Sequence, residues 1–253
     1  MADPHETGQL AGRSVRRWLR PFVDWELNGA PAVDFQMHTT WTDGASSVVA
    51  MIAAAECRGL QAMAITEHVN ETSDWYPRFI EDVEAQRRGR SIDVFYGIEV
   101  AACDYHGGLK ASPADHRAEL VLGVVHRCPR STGGYWSFDE LTAADAVELE
   151  LRALTGLARN QTLDVIGHPG GTAFRKFGAY PVDWLEPAVR LAADHGIAIE
   201  LNTKYLWDMP GMMSLLRRVN PLMSFASDAH AAVDVGSNCS RLQAGRPLRS
   251  SKG

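Results

Sequence analysis

Residues 223–230 read MSFASDAH, a mostly apolar run that stops at Asp228 and His230. Residues two apart on an extended strand point to one face, so a carboxylate and an imidazole arrive together where a buried strand would end. The pattern recurs along the chain. Gln36 and His38 end one apolar run, with Asp43 shortly beyond in TDG, and Glu67 and His68 end another. Glu99, His126, His168 in GHPGG, and Glu200 with Asn202 each close a further one. Five of the nine histidines therefore fall at such ends. Burying so many ionisable groups costs several kcal/mol for each one left unpaired, and bound cations would supply the compensation. His5, His106, His116 and His195 read as surface or loop residues.

The elements that must deliver these groups are short. Strand-length apolar runs span 33–38, 62–66, 93–99, 119–125, 163–167, 196–201 and 222–226. Most are apolar on both faces, as parallel strands covered by helices are. Helical stretches lie between them. SSVVAMIAAAECRG has Ser46 or Ser47 as N-cap and Gly59 as stop; residues 137–160 are rich in helix formers; 181–196 begin at a proline and end at a glycine. Residues 76–90 and 209–220 suit helices in which Pro77 and Pro210 stand near the start. The alternation predicts an α/β barrel or an open doubly wound sheet. Residues 1–32 read as an N-terminal extension with a short helix around VRRWLRPFVDWEL, ahead of a single domain over 33–253. The segments 101–118 and 127–138 are long for strand-to-helix loops. In a barrel they would wall the active face, with Tyr105, Tyr135 and Trp136 as lining.

Hydrophobic content of 45% and charged content of 22% are ordinary for a globular chain. A formal charge of −6 disfavours long nucleic acid as a partner. Cys57, Cys103, Cys128 and Cys239 show no C-x-x-C spacing, which suits reduced thiols. VDWELNG follows SVRRWLRPF where a signal peptide would need an apolar run, and no stretch reaches membrane-spanning length, so a cytoplasmic location without membrane contact is expected.

The ordered set DFQMHTTWTDG, AITEH, YGIEV, LVLGVVH, VIGHPGG, IELN and FASDAH resembles the polymerase and histidinol phosphatase (PHP) superfamily, over about residues 33–235. The spacing from GIE to GVVH is most similar to its histidinol-phosphatase branch. The resemblance implies a distorted (β/α)7 barrel, similar to a TIM barrel, with up to three metal ions at the C-terminal ends of the strands. It implies that Glu99 bridges two ions, one also held by His38 and Asp228 and the other by His126 and His168. A third would be held by Asp43, His68 and His230. The family's first motif is D-x-H-x-H, whereas this chain has Asp34-Phe35-Gln36-Met37-His38, so Gln36 takes a ligand position with a neutral amide, a poorer donor to borderline metals than imidazole. Glu67 stands where the family has Asp. An altered three-metal site, a two-metal site and a degenerate barrel all remain open. Zinc, manganese and iron all suit mixed imidazole and carboxylate ligands.

Such a cluster turns water into hydroxide at neutral pH and neutralises phosphoryl charge. The expected activity is a metal-dependent phosphatase acting on a small phosphorylated metabolite. Glu99, Asp228 and His230 would be catalytic. Arg175, Lys176 and Lys204 would bind phosphate oxygens, with Arg127 a further candidate. The alternatives are a phosphodiesterase or exonuclease on short nucleotides, or a barrel whose metal chemistry Gln36 has redirected.

Overall fold

The computed structural model describes residues 14–244. Seven parallel strands follow an initial short one: β1 (Arg20–Pro21), β2 (Val33–Asp34), β3 (Ala62–Val69), β4 (Asp93–Ala101), β5 (Leu120–Val124), β6 (Val165–Ile166), β7 (Ala198–Asn202) and β8 (Leu222–Ala226). They line up in the order β1-β8-β7-β6-β5-β4-β3-β2, with every pair parallel except β1–β8. The sheet curls until its ends meet. Phe35 N–H donates to the Phe225 carbonyl at 2.9 Å and His38 N–H to that of Ala229 at 2.8 Å. The seam is shared along the length of β8: its first residues pair with β1, and the stretch from Phe225 onward meets the chain after β2. That split is the physical source of the distortion from a regular barrel.

The first expected strand, 33–38, is therefore regular only at Val33–Asp34, and the fifth only at Val165–Ile166. The extension at 14–32 is more integrated than an outer helix. A 3-10 turn, Val15–Trp18, and helix α1 (Phe22–Asn28) flank β1 and bury Val15, Leu19 and Phe22. Residues 1–13 and 245–253, which include His5, lie outside the described residues.

The helices α2 (Val48–Cys57), α3 (Tyr76–Arg87), α4 (Ala143–Leu157), α5 (Gly171–Phe177), α6 (Glu186–Asp194), α7 (Met209–Val219) and α8 (Ser237–Ala244) follow in turn. Pro77 and Pro210 stand near the starts of α3 and α7, where a missing N–H leaves no intrahelical bond unmade. Ser46 does not cap α2; its hydroxyl accepts instead from Ala232 N–H at 3.0 Å, tying the loop after β2 to the loop after β8. The stretch expected to be helical from 137 is a 3-10 turn, Phe138–Glu140, followed by α4, where Thr142 and Asp145 form a reciprocal capping box. No helix among the described residues is long and apolar enough to cross a membrane.

Candidate metal centre

Glu99 organises the site. In the parallel register of β3 and β4 it lies beside His68, whose Nδ1 is 2.9 Å from Glu99 Oε2. His126, just beyond β5, and His168, just beyond β6, place their Nε2 atoms 3.1 and 3.0 Å from Glu99 Oε1. His38 Nε2 stands 3.2 Å from Glu99 Oε2 and 3.3 Å from Asp228 Oδ1. A third grouping sits at the rim, where Asp43 Oδ2 lies 3.4 Å from His68 Nε2 and 3.5 Å from His230 Nε2. The His38 ring stacks on His68 at 4.2 Å and tilts against His230 at 4.6 Å. The strand-end histidines thus converge on one place.

The donor set fits metal ions. Both His38 ring nitrogens and Glu99 Oε2 are buried without a hydrogen bond of acceptable geometry, despite lying close to oppositely charged partners. Atoms that converge in this way without bonding one another are arranged around a shared centre. Burial works to raise the Glu99 carboxyl, but the charge of His126, hydrogen bonds from His126 and His168 and the close approach of the His38 ring overcome it and hold Glu99 well below the usual range. Burial works to lower His38, yet Asp228 and Glu99 push it up to about 10; His168 is pushed up to about 9, against its burial, by Glu99. The carboxylates demand positive charge here. A metal ion would supply it and would leave the imidazoles neutral, as ligands must be. His230 Nδ1 lies 2.9 Å from the Asp228 carbonyl, which only accepts, so Nδ1 is the donor there and Nε2 is the nitrogen that faces Asp43.

Gln36 sits in the same cluster with its amide nitrogen forward. Nε2 donates to Glu99 Oε1 at 2.8 Å, and Oε1 accepts from Asn202 Nδ2 at 3.2 Å. The side chain expected as an oxygen ligand is thus engaged as a donor to the central carboxylate, because Asn202 occupies its oxygen.

A surrounding layer of polar groups holds these atoms. Glu67 accepts from Thr39 N–H at 2.9 Å, from the Thr39 hydroxyl at 2.5 Å and from the Thr42 hydroxyl, closing the loop that carries Asp43. Asp34 accepts from Ser227 N–H and hydroxyl and from Gly236 N–H, anchoring the start of the Asp228 loop. Glu200 accepts from His168 N–H at 2.7 Å, and burial pushes its carboxyl up to about 8. His168 and Asp228 both have left-handed backbone, with φ of 27° and 53°, a strain of about 1–3 kcal/mol each that surrounding contacts must hold. The last two glycines of GHPGG, Gly170 and Gly171, have steric reasons. A Cβ on Gly170, itself at φ 89°, would meet the Tyr180 ring at 2.4 Å, and one on Gly171 would meet His168 Nδ1 at 3.0 Å.

A cleft of about 640 Å³ opens over Glu99, and Arg175, Lys204, Lys110 and Arg127 line it. Lys204 Nζ and the Tyr205 hydroxyl both reach Asp228 Oδ2, at 2.8 and 2.9 Å. Lys176 departs from its expected place: it pairs with Asp139 at 2.7 Å and lines an adjoining groove, because it lies next to Arg175 on the short helix α5 and so leaves it in another direction. Tyr105 and Tyr135 also differ from the expected cleft walls. The Tyr135 hydroxyl donates to the Ala102 carbonyl at 3.0 Å and that of Tyr105 to Pro129, so they stitch the two long loops together. Tyr135 and Trp136 face the adjoining groove. Lys110 and Tyr205 were not singled out by the sequence: each is a lone residue in a loop, and only Tyr205's adjacency to Lys204 hinted at the site.

Comparison with known proteins agrees with this fold. The profile of the PHP domain matches residues 34–204. A probable phosphatase of Edwardsiella ictaluri is 28% identical over 224 residues, covering 81% of each chain. The DNA polymerase/3'-5' exonuclease PolX of Bacillus subtilis is 27% identical over 187 residues, 67% of this chain and 28% of that protein. The fold matches the crystal structure of histidinol phosphate phosphatase from Lactococcus lactis, solved with zinc, L-histidinol and phosphate, at a TM-score of 0.62 and 18% identity over 85% of this chain and 94% of that one. The chain belongs to the PHP domain family and is a phosphatase-like member of it.

Proposed function

We propose that the protein is a metal-dependent phosphatase that releases phosphate from a small organic phosphomonoester. The observation that carries this reading is the convergence of His38, His68, His126, His168 and Asp228 around the buried Glu99, with His38 Nε2 and Glu99 Oε2 lacking hydrogen bonds. His38, Glu99 and Asp228 would hold one ion, Glu99, His126 and His168 a second, and Asp43, His68 and His230 a third; zinc, manganese and iron all suit these donors. When bound, such ions lower the pKa of water and neutralise charge on phosphoryl oxygens.

The chain's own residues do the positioning. Glu99 would serve two of the ions with its two oxygens, and Gln36 braces it through the 2.8 Å hydrogen bond from its amide. Asp228 offers Oδ1 to the cluster while Lys204 and Tyr205 fix Oδ2, which sets the carboxylate plane. Arg175 lines the cleft, with no carboxylate among the described residues in ion-pair reach of its guanidinium, and would meet the phosphoryl oxygens. Phosphoryl transfer asks for little beyond such positioning and charge.

The test is metal analysis of the purified protein alongside phosphate release from a panel of monoesters. Two or three transition ions per chain with turnover support the reading; no turnover after metal reconstitution defeats it. The polymerase/exonuclease relative keeps one alternative open, and cleavage of a dinucleotide in preference to a mononucleotide would favour it.

A further inference from the structure

The cleft over the metal centre does not end at Arg175. It continues into a groove of about 540 Å³, with Arg127, Phe138 and Arg175 lining both. The groove adds Trp136, Asp139, Glu140 and Lys176. Its charges do not cancel. Asp139 is paired with Lys176 at 2.7 Å, and Glu140 with Arg130, whose guanidinium also lies over the Trp136 ring at 4.1 Å. Among the described residues no carboxylate is within ion-pair reach of Arg127, which is exposed and follows His126 directly at the end of β5. Lys110, on the opposite loop, rests over the Tyr135 ring at 4.6 Å and also lines the cleft. Arg127 and Lys110 thus form a cationic rim beside the metal centre in a protein of net charge −6.

A phosphomonoester needs its scissile phosphoryl group neutralised, and the bound metal ions with Arg175 would already serve that end. Arg127 is surplus to it and lines the junction of cleft and groove, into which a leaving group directed away from the metal centre would extend. We propose that the substrate carries a second anionic group, a carboxylate or a second phosphate, on its leaving-group side, and that Arg127 binds it at the junction of cleft and groove. This rests on the phosphatase reading above. A fixed guanidinium fork suits either anion through paired hydrogen bonds. A leaving group bearing an ammonium would instead meet Arg127, Arg175 and Lys110 and be disfavoured.

The test uses the metal-loaded full chain and two matched sets of esters of different reach. The first is glycerol 3-phosphate, 3-phosphoglycerate and glycerol 1,3-bisphosphate, whose leaving groups are neutral, carboxylate-bearing and phosphate-bearing. The second is phenyl phosphate and 4-carboxyphenyl phosphate. For each set, kcat/KM of the anionic ester is divided by that of the neutral one in the wild type, Arg127→Gln and Arg127→Lys; intrinsic reactivity cancels between proteins. The expected result is a ratio that falls about tenfold in Arg127→Gln for at least one set, is largely restored in Arg127→Lys, and shrinks in the wild type as salt is raised. The glycerol arms then tell carboxylate from phosphate. Metal content measured on each variant separates loss of the anion contact from damage to neighbouring His126. A ratio that Arg127→Gln leaves unchanged in both sets overturns the proposal while leaving the phosphatase reading intact. Absence of turnover on every ester, with metal bound, defeats that reading and this one with it.

Discussion

Gln36 and Glu99 meet in the buried centre of the barrel, the amide nitrogen of one 2.8 Å from the carboxylate of the other, with Asn202 holding the amide oxygen at 3.2 Å. An amide in this orientation gives a hydrogen bond to the central carboxylate and nothing to a cation. Replacing Gln36 with Leu, of similar size, should cost about 1–3 kcal/mol by leaving buried Glu99 and Asn202 groups short of a partner. It should lower kcat while metal content stays at the wild-type number of ions per chain. Loss of an ion from Gln36→Leu would show instead that the amide oxygen turns to ligate. Urea unfolding and elemental analysis of the same preparation decide between them.

Glu99 offers one oxygen to His126 and His168 and the other to His38 and His68. Glu99→Gln should therefore lose more than one ion and lower phosphatase activity by on the order of 10²–10³-fold. Retention of full metal content by this variant would contradict a bridging role.

Metal removal should change how stability depends on pH. In the metal-free protein His38 and His168 rise from 6.5 to about 10 and about 9. A cationic group raised in the folded state contributes stability that is fully present below the unfolded value, near 6.5, and is lost as pH rises through the folded values. Glu99 and Asp228 are lowered, so their contribution is present above the ordinary carboxylate range and is lost as the solution is acidified. The chelated protein should thus unfold more easily from about pH 6.5 toward 10, and metal should remove most of that slope. Melting temperature against pH, with and without chelator, checks it; a flat profile in the chelated protein would contradict it.

Glu150 lies buried beneath the start of α5, accepting from Thr172 N–H at 3.1 Å and Ala173 N–H at 2.8 Å, and burial pushes it up from 4.5 to about 7. An acid raised in the folded state holds its proton longer there than in the unfolded chain. Stability is therefore lost as pH climbs from about 4.5 to about 7, by on the order of 3 kcal/mol. Glu150→Gln removes that titration. The stability of wild type relative to Glu150→Gln should fall across this interval in denaturant titrations; parallel curves would show that Glu150 ionises freely.

The sequence alone carried the alternation of strand and helix, the seven parallel strands and the placement of His38, His68, Glu99, His126, His168, Asp228 and His230 at strand ends. It could do so because buried strands are apolar, and a charged side chain at the end of one stands out against that background. Which atoms meet was decided only by the tertiary structure. The β3–β4 register sets His68 beside Glu99, and the seam shared by β1 and β2 along β8 brings the Asp228 loop against His38. Asn202, 166 residues away in the chain, sets which end of the Gln36 amide faces the cluster. The directions of Arg175 and Lys176, adjacent in sequence, separate because neighbours on a helix diverge by about a quarter turn. The tyrosines of the long loops bind those loops to each other, since a partly buried hydroxyl takes an acceptor and the facing loop's carbonyls are within reach.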